Sequence, residues 1–238
     1  KLMTSSSDNV ANLAAACLIQ STLDIKMILN DQVSAFLKKA LSTSGKGQME
    51  LNALRLCGAF SSTFEGAQFL ENEKISTLIA QFISNVKKYD AKDNKNLKNK
   101  LAVMAISSYS KVYPTSKVTI GLINDIIELL HQRDILMYTT TFLSNAVIHP
   151  SGAELVSKNF DTVAKCLSMI NDSTKADGKS EDDTQNVYVI FQLVKIMDRV
   201  VTSPEAVQNI KNVNTITQIY EDAKYHFNDV LFNPYLEL

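Results

Sequence analysis

Residues 138–170 read YTTTFLSNAVIHPSGAELVSKNFDTVAKCLSMI, and this stretch decides the fold. Phe142, Leu143, Ala146 and Val147 recur at helical spacing, which predicts a helix over residues 138–148 packed on more than one side. His149-Pro150-Ser151-Gly152 interrupts it, because proline cannot donate to the preceding turn and clashes with it. A short helix over 153–157 and a third over 160–170 follow. Long helix, break, short helix, long helix is the rhythm of a helical repeat.

The same rhythm runs through most of the chain. Residues 52–83 read NALRLCGAFSSTFEGAQFLENEKISTLIAQFI, and residues 192–219 read QLVKIMDRVVTSPEAVQNIKNVNTITQI. Each is an apolar helix, a break carrying Glu-Gly, Ser-Gly or Pro-Glu, a short helix and another helix. A weaker copy centres on Pro114. Breaks at Glu65, Pro114, Ser151 and Glu205 have a mean spacing of roughly 45 residues, in the range of armadillo and HEAT arrays, with departures from even spacing at the two polar loops. Further helices are predicted over 10–21, 32–41, 97–112, 117–130, 186–201 and 214–229, with 24–29 left between a continuation and a short linking helix. The phenylalanine, glutamate and glycine at 64–66 are read as a helix break. The polar run 171–185 is read as a loop insertion, residues 1–9 as a frayed start and 230–238 as a tail that packs. The expected organisation is one all-α domain over residues 1–238.

Phe142-Leu143-Ser144-Asn145-Ala146, with Ser151-Gly152 six residues after the asparagine, resembles the third-helix signature of the armadillo family. Residues 54–66 and 197–206 resemble it less fully, and the first 45 residues match only as generic helices. The resemblance implies a right-handed α-solenoid of armadillo/HEAT-like repeats, with a concave groove lined by the third helices. One helix pair cannot bury its apolar surface alone, whereas stacked pairs share a continuous core.

Polar residues interrupt the three apolar helices at spacings that share one face: Asn52 and Arg55; Tyr138, Thr141 and Asn145; Gln192, Lys195 and Arg199. In the resembled family, the asparagine at the Asn145 position contacts the backbone of an extended peptide, a task an amide suits because it both donates and accepts. Ala59 and Arg199 stand at the matching positions, so the asparagine ladder is discontinuous and departs from the importin-like pattern. Three cations and no anion in the stripe suit an acidic or phosphorylated partner segment; an ordinary solvated face is the alternative.

Twenty-four Lys and Arg against 25 Asp and Glu give a net charge of −1, unlike the basic surface of a nucleic-acid binder. Cys17, Cys57 and Cys166 are scattered in apolar helical contexts, which reads as small core residues of a cytoplasmic protein rather than a disulfide framework. No apolar run approaches the roughly 20 residues that span a bilayer. His131, His149 and His226 stand alone, without ligand spacing. Ser44-Gly45-Lys46-Gly47 lacks the glycine and strand of a phosphate loop, and no Gly-x-Ser-x-Gly elbow occurs. The sequence therefore offers no catalytic, cofactor-binding or metal-binding residues.

The expectation is a protein-binding scaffold or adaptor. Two other readings stay open. One is a regulatory armadillo-like region of a larger cytoskeletal protein, binding a small GTPase or an autoinhibitory helix as formins do. The other is a membrane- or cytoskeleton-attached adaptor using residues 87–100, KKYDAKDNKNLKNK, where six lysines oppose two aspartates. Lys1-Leu2 ahead of Met3 reads as a cloning remnant.

Overall fold

The computed structural model describes residues 2–5, 7–20, 25–42, 47–85, 95–166, 182–211 and 213–227. These residues are helical or in turns, and none is in a strand. They fall in two compact units, residues 1–122 and 123–238.

The first unit holds a 3-10 turn at Leu2–Thr4, then α1 (Asp8–Gln20), α2 (Ile25–Ile28), α3 (Asp31–Ser42), α4 (Gln48–Ser61), α5 (Phe64–Asn72), α6 (Ile75–Asn85) and α7 (Lys95–Val112). The turn is not frayed: Met3 is buried against the packing of α1 and α3. Helix α4 lies between α1 on one side and α7 on the other, and α3 packs on α6. The α4 sequence explains its central place. Leu51, Leu54, Leu56, Cys57 and Phe60 cover most of its circumference and are all buried.

Helix α8 (Lys117–Glu128) crosses the boundary between the units. The second unit continues with a 3-10 turn at Arg133–Ile135, then α9 (Leu136–Ala146), α10 (Pro150–Ser157), α11 (Phe160–Ala164), α12 (Asp182–Thr202), α13 (Pro204–Val207) and α14 (Val213–Phe227). Its main packing is α9 against α12, with α14 on α12 and α13 on α10.

The three sequence copies share one local design. In α4, α9 and α12 the buried stripe falls on matched positions: Ala53, Leu56, Cys57 and Phe60; Thr139, Phe142, Leu143 and Ala146; Leu193, Ile196, Met197 and Val200. These are the i, i+3, i+4, i+7 positions of one helix face. Each helix ends in a turn that starts the next. Thr63 caps α5 by accepting from the Gly66 N–H at 3.2 Å. His149 caps α10, its ring nitrogen accepting from the Ser151 N–H, and Pro150 occupies the first helical position. Pro204 likewise opens α13 after Ser203, whose side chain makes no capping hydrogen bond. The third residue of each short helix is small and buried: Gly66, Gly152 and Ala206. At Gly66 the reason is direct, because a Cβ there would stand 2.2 Å from the Phe60 carbonyl oxygen.

Several sequence expectations are corrected. Residues 64–66 and 150–152 do not break helices; they form the first turns of α5 and α10. The helix expected from residue 186 begins at Asp182, so the end of the polar run 171–185 is helical. The short helix of the third copy is confined to Pro204–Val207. Residues 86–94, 167–181 and 228–238, which carry most of the lysine-rich segment, the remainder of the polar run and the tail, lie outside the described residues.

Candidate protein-binding surface

In the second unit, α9 and α12 lie side by side and are tied by polar contacts. The Ser144 hydroxyl donates to Gln192 Oε1 at 2.6 Å, and the Thr141 and Tyr188 hydroxyls lie 3.3 Å apart in hydrogen-bond contact. Outside this seam runs an accessible stripe. On α12 it comprises Tyr188, Phe191, Lys195 and Arg199, one turn apart and all exposed. Phe191 is 46% exposed, high for a large apolar side chain in a helix whose opposite face is core. The Lys195 ammonium sits over its ring, 4.9 Å from the centroid. That position suits a cation attracted to the π face, and it leaves the ammonium without an ion-pair partner among the described residues. On α9, Tyr138, Thr141 and Asn145 are half-buried along the same side of the seam. Helix α9 carries no charged residue, and on α12 the exposed Asp198 stands between Lys195 and Arg199 in sequence.

The proposed site residues therefore divide. Arg55, Lys195 and Arg199 are exposed, and Tyr138, Thr141 and Asn145 are partly so. Asn52 and Gln192 are each 3% exposed and face neighbouring helices. The Asn52 amide donates to Asn12 Oδ1 on α1 at 2.7 Å and accepts from Gln48 at 3.3 Å, so it joins α1 to α4 instead of facing a partner. Gln192 is likewise engaged by Ser144. Tyr188 and Phe191 were missed by the sequence reading. Their signal was present, since they continue the Lys195–Arg199 spacing toward the N-terminus, but aromatic residues on an apolar helix read as core.

The lysine-rich segment also changes meaning where it is described. Lys98 turns inward and meets Glu50 of α4 at 2.7 Å, both side chains being almost wholly buried. That lysine holds α7 on α4 and is withdrawn from any surface patch. The remaining electrostatics of the first unit join helices to one another. Lys38, by a direct hydrogen bond, and then Ser34 hold the Glu73 carboxyl below the usual carboxylate range, linking α3 to the end of α5. Lys26 lowers Glu65 in the same manner across α2 and α5. Burial, and then the hydrogen bond to Glu71, raises the Tyr109 phenol.

Cys57 and Cys166 are buried, and burial pushes the Cys166 thiol up to about 12, a poor nucleophile. Cys17 is exposed and is not the core residue its neighbours suggested. Among the described residues no group of three or more His, Cys, Asp or Glu is placed to hold a metal ion. No described helix is long and apolar enough to cross a membrane.

No protein-family model matches the chain, and no curated protein matches it in sequence. Among solved structures the chain is similar to an engineered protein whose crystal structure was determined by the Northeast Structural Genomics Consortium. The TM-score is 0.61 at 14% identity, covering 95% of this chain and 94% of that one. At that identity the likeness is one of fold alone.

Proposed function

We propose that the chain is a non-catalytic, cytoplasmic protein-binding scaffold built of armadillo-like repeats in a right-handed solenoid, and that the α9–α12 face takes an extended partner segment. The observation that carries this reading is the exposed stripe Tyr188, Phe191, Lys195 and Arg199 beside Tyr138, Thr141 and Asn145. At 1.5 Å per residue the stripe runs about 16 Å, the reach of about five residues of extended chain. Exposed aromatic rings supply contact area at small entropic cost, and the two cations favour an acidic or phosphorylated segment. The repeated junctions and the side-by-side placement of α1, α4 and α7, and of α9 and α12, support the solenoid part of the reading.

Fluorescence anisotropy with acidic, phosphorylated and basic peptide libraries tests it. Acidic or phosphorylated peptides are expected to bind, and Lys195→Glu with Arg199→Glu is expected to weaken them by tenfold or more. Binding that survives this charge reversal, or that favours basic peptides, would remove the face from consideration. Arg55→Glu in the first unit serves as the comparison for a cation outside the face.

A further inference from the structure

The α9–α12 face is not uniform along its length. Two contacts fix the direction of its helices: Thr141 meets Tyr188, and Ser144 meets Gln192. Both partners advance together along the chain, so α9 and α12 run parallel. Gln192 marks the side of α12 that faces α9. At about 100° per residue, Arg199 stands about 20° from Gln192 around the helix axis, Tyr188 about 40° and Lys195 about 60°. Asp198 is turned about 120° from Gln192. Since α9 carries no charge, no described carboxylate of these two helices lies between the two cations and the seam. Neither cation has an ion-pair partner among the described residues.

Along the axis the aromatic and cationic residues separate. Tyr188 and Phe191 occupy one turn, and Lys195 and Arg199 follow toward the C-terminus. The cations are four residues apart, which puts their Cβ atoms about 6 Å from each other, so both long side chains reach one group. The centre of the aromatic pair lies about 11 Å along α12 from the centre of the cation pair. That distance is spanned by three or four residues of extended chain at about 3.3 Å each. We infer that the face selects a segment with one phosphorylated residue and a large apolar residue three or four positions from it. A phosphate carries about −1.5 to −2 charge and three acceptor oxygens, so it engages Lys195 and Arg199 together. A single carboxylate brings one charge to the same pair. The apolar residue packs on Tyr188 and Phe191, and Phe191 is 46% exposed. This specificity rests on the α9–α12 face being the binding surface.

The probes are labelled ten-residue peptides of Gly, Ser and Ala carrying one phosphoserine and one Phe. The Phe is set three or four positions before or after the phosphoserine. Anisotropy on the full chain is expected to show binding in one of the two chain directions. Replacing phosphoserine by Glu is expected to weaken it at least tenfold, and moving Phe next to the phosphoserine severalfold. Lys195→Met and Arg199→Met, both at exposed positions, are each expected to weaken the phosphopeptide at least fivefold while melting as the parent chain does. Phe191→Ala is expected to remove the spacing preference and keep the preference for phosphate. Equal binding of the Glu and phosphoserine peptides, both lost on Lys195→Glu with Arg199→Glu, would overturn the inference and leave the binding face standing. Indifference to the position of Phe would do the same. Failure of every peptide to bind, or phosphopeptide binding that survives the charge reversal, would remove the face as well. Capture by phosphatidylserine vesicles in place of the peptides would also overturn the inference.

Discussion

Two helix pairs do the same job with different chemistry. In the first unit α4 meets α7 across a buried ion pair, Glu50 with Lys98. In the second, α9 meets α12 across neutral hydrogen bonds, Ser144 with Gln192 and Thr141 with Tyr188. Both pairs otherwise bury apolar side chains. A buried charge pair gives little net stability, because desolvation offsets much of the attraction, but losing one partner leaves an uncompensated charge in the interior. A neutral pair carries a smaller penalty of the same kind. The first interface should therefore be intolerant of single changes and forgiving of paired ones, and the second should show the same pattern in weaker form.

The largest effect is expected from Lys98→Met, which should destabilise the chain by about 3–5 kcal/mol in urea unfolding. Adding Glu50→Leu should restore most of that loss, since both charges are then gone. A single-variant cost below about 1 kcal/mol would mean that the pair is solvated. Gly66→Ala is next, at about 3 kcal/mol, because its Cβ meets the backbone of Phe60, which cannot yield as a side chain would. Ser144→Ala should cost about 1–2 kcal/mol, and pairing it with Gln192→Leu should recover part of the loss. Equal costs for Ser144→Ala and Lys98→Met would abolish the contrast between the two interfaces.

The smallest effect concerns acid. Glu73 has its folded pKa depressed by Lys38 and Ser34, so its contribution is present above the unfolded carboxylate pKa and is lost as pH falls through the folded value. Glu73→Gln should flatten the stability profile on the acid side and leave its alkaline limb unchanged. A profile that kept its acid slope would assign that slope to other carboxylates.

Helix positions were largely legible in the sequence because the apolar period is strong. Residues 117–130, read as one helix, match α8 to within two residues at the C-terminal end. What failed was punctuation. Residues 64–66 and 149–152 read as breaks, but they open helices capped by Thr63 and His149, and at Gly66 the missing Cβ permits close approach to the Phe60 backbone. Residues 182–185 read as loop because the run 171–185 is almost wholly polar, yet the backbone is helical from Asp182. The candidate site was half legible. Positions three, four and seven residues along a helix share a face, so Lys195 and Arg199 were grouped on one side of α12, where both are exposed, whereas Arg55 is exposed on α4 in the other unit. Periodicity cannot tell which edge of that face a neighbouring helix will cover, and it covered Asn52 and Gln192. Lys98 could not have been read at all, since its partner Glu50 lies on a different helix, far upstream.

The small residue at the third position of α5, α10 and α13 constrains volume, not chemistry. Gly66, Gly152 and Ala206 satisfy it with two different residue types. A motif written as a space left empty carries few letters, so it can persist while the surrounding alphabet turns over. The chain can then keep step with itself, and share a fold with an engineered protein at 14% identity, without a legible signature. Across α5, α10 and α13 the common register is better seen in where side chains are small than in which letters recur.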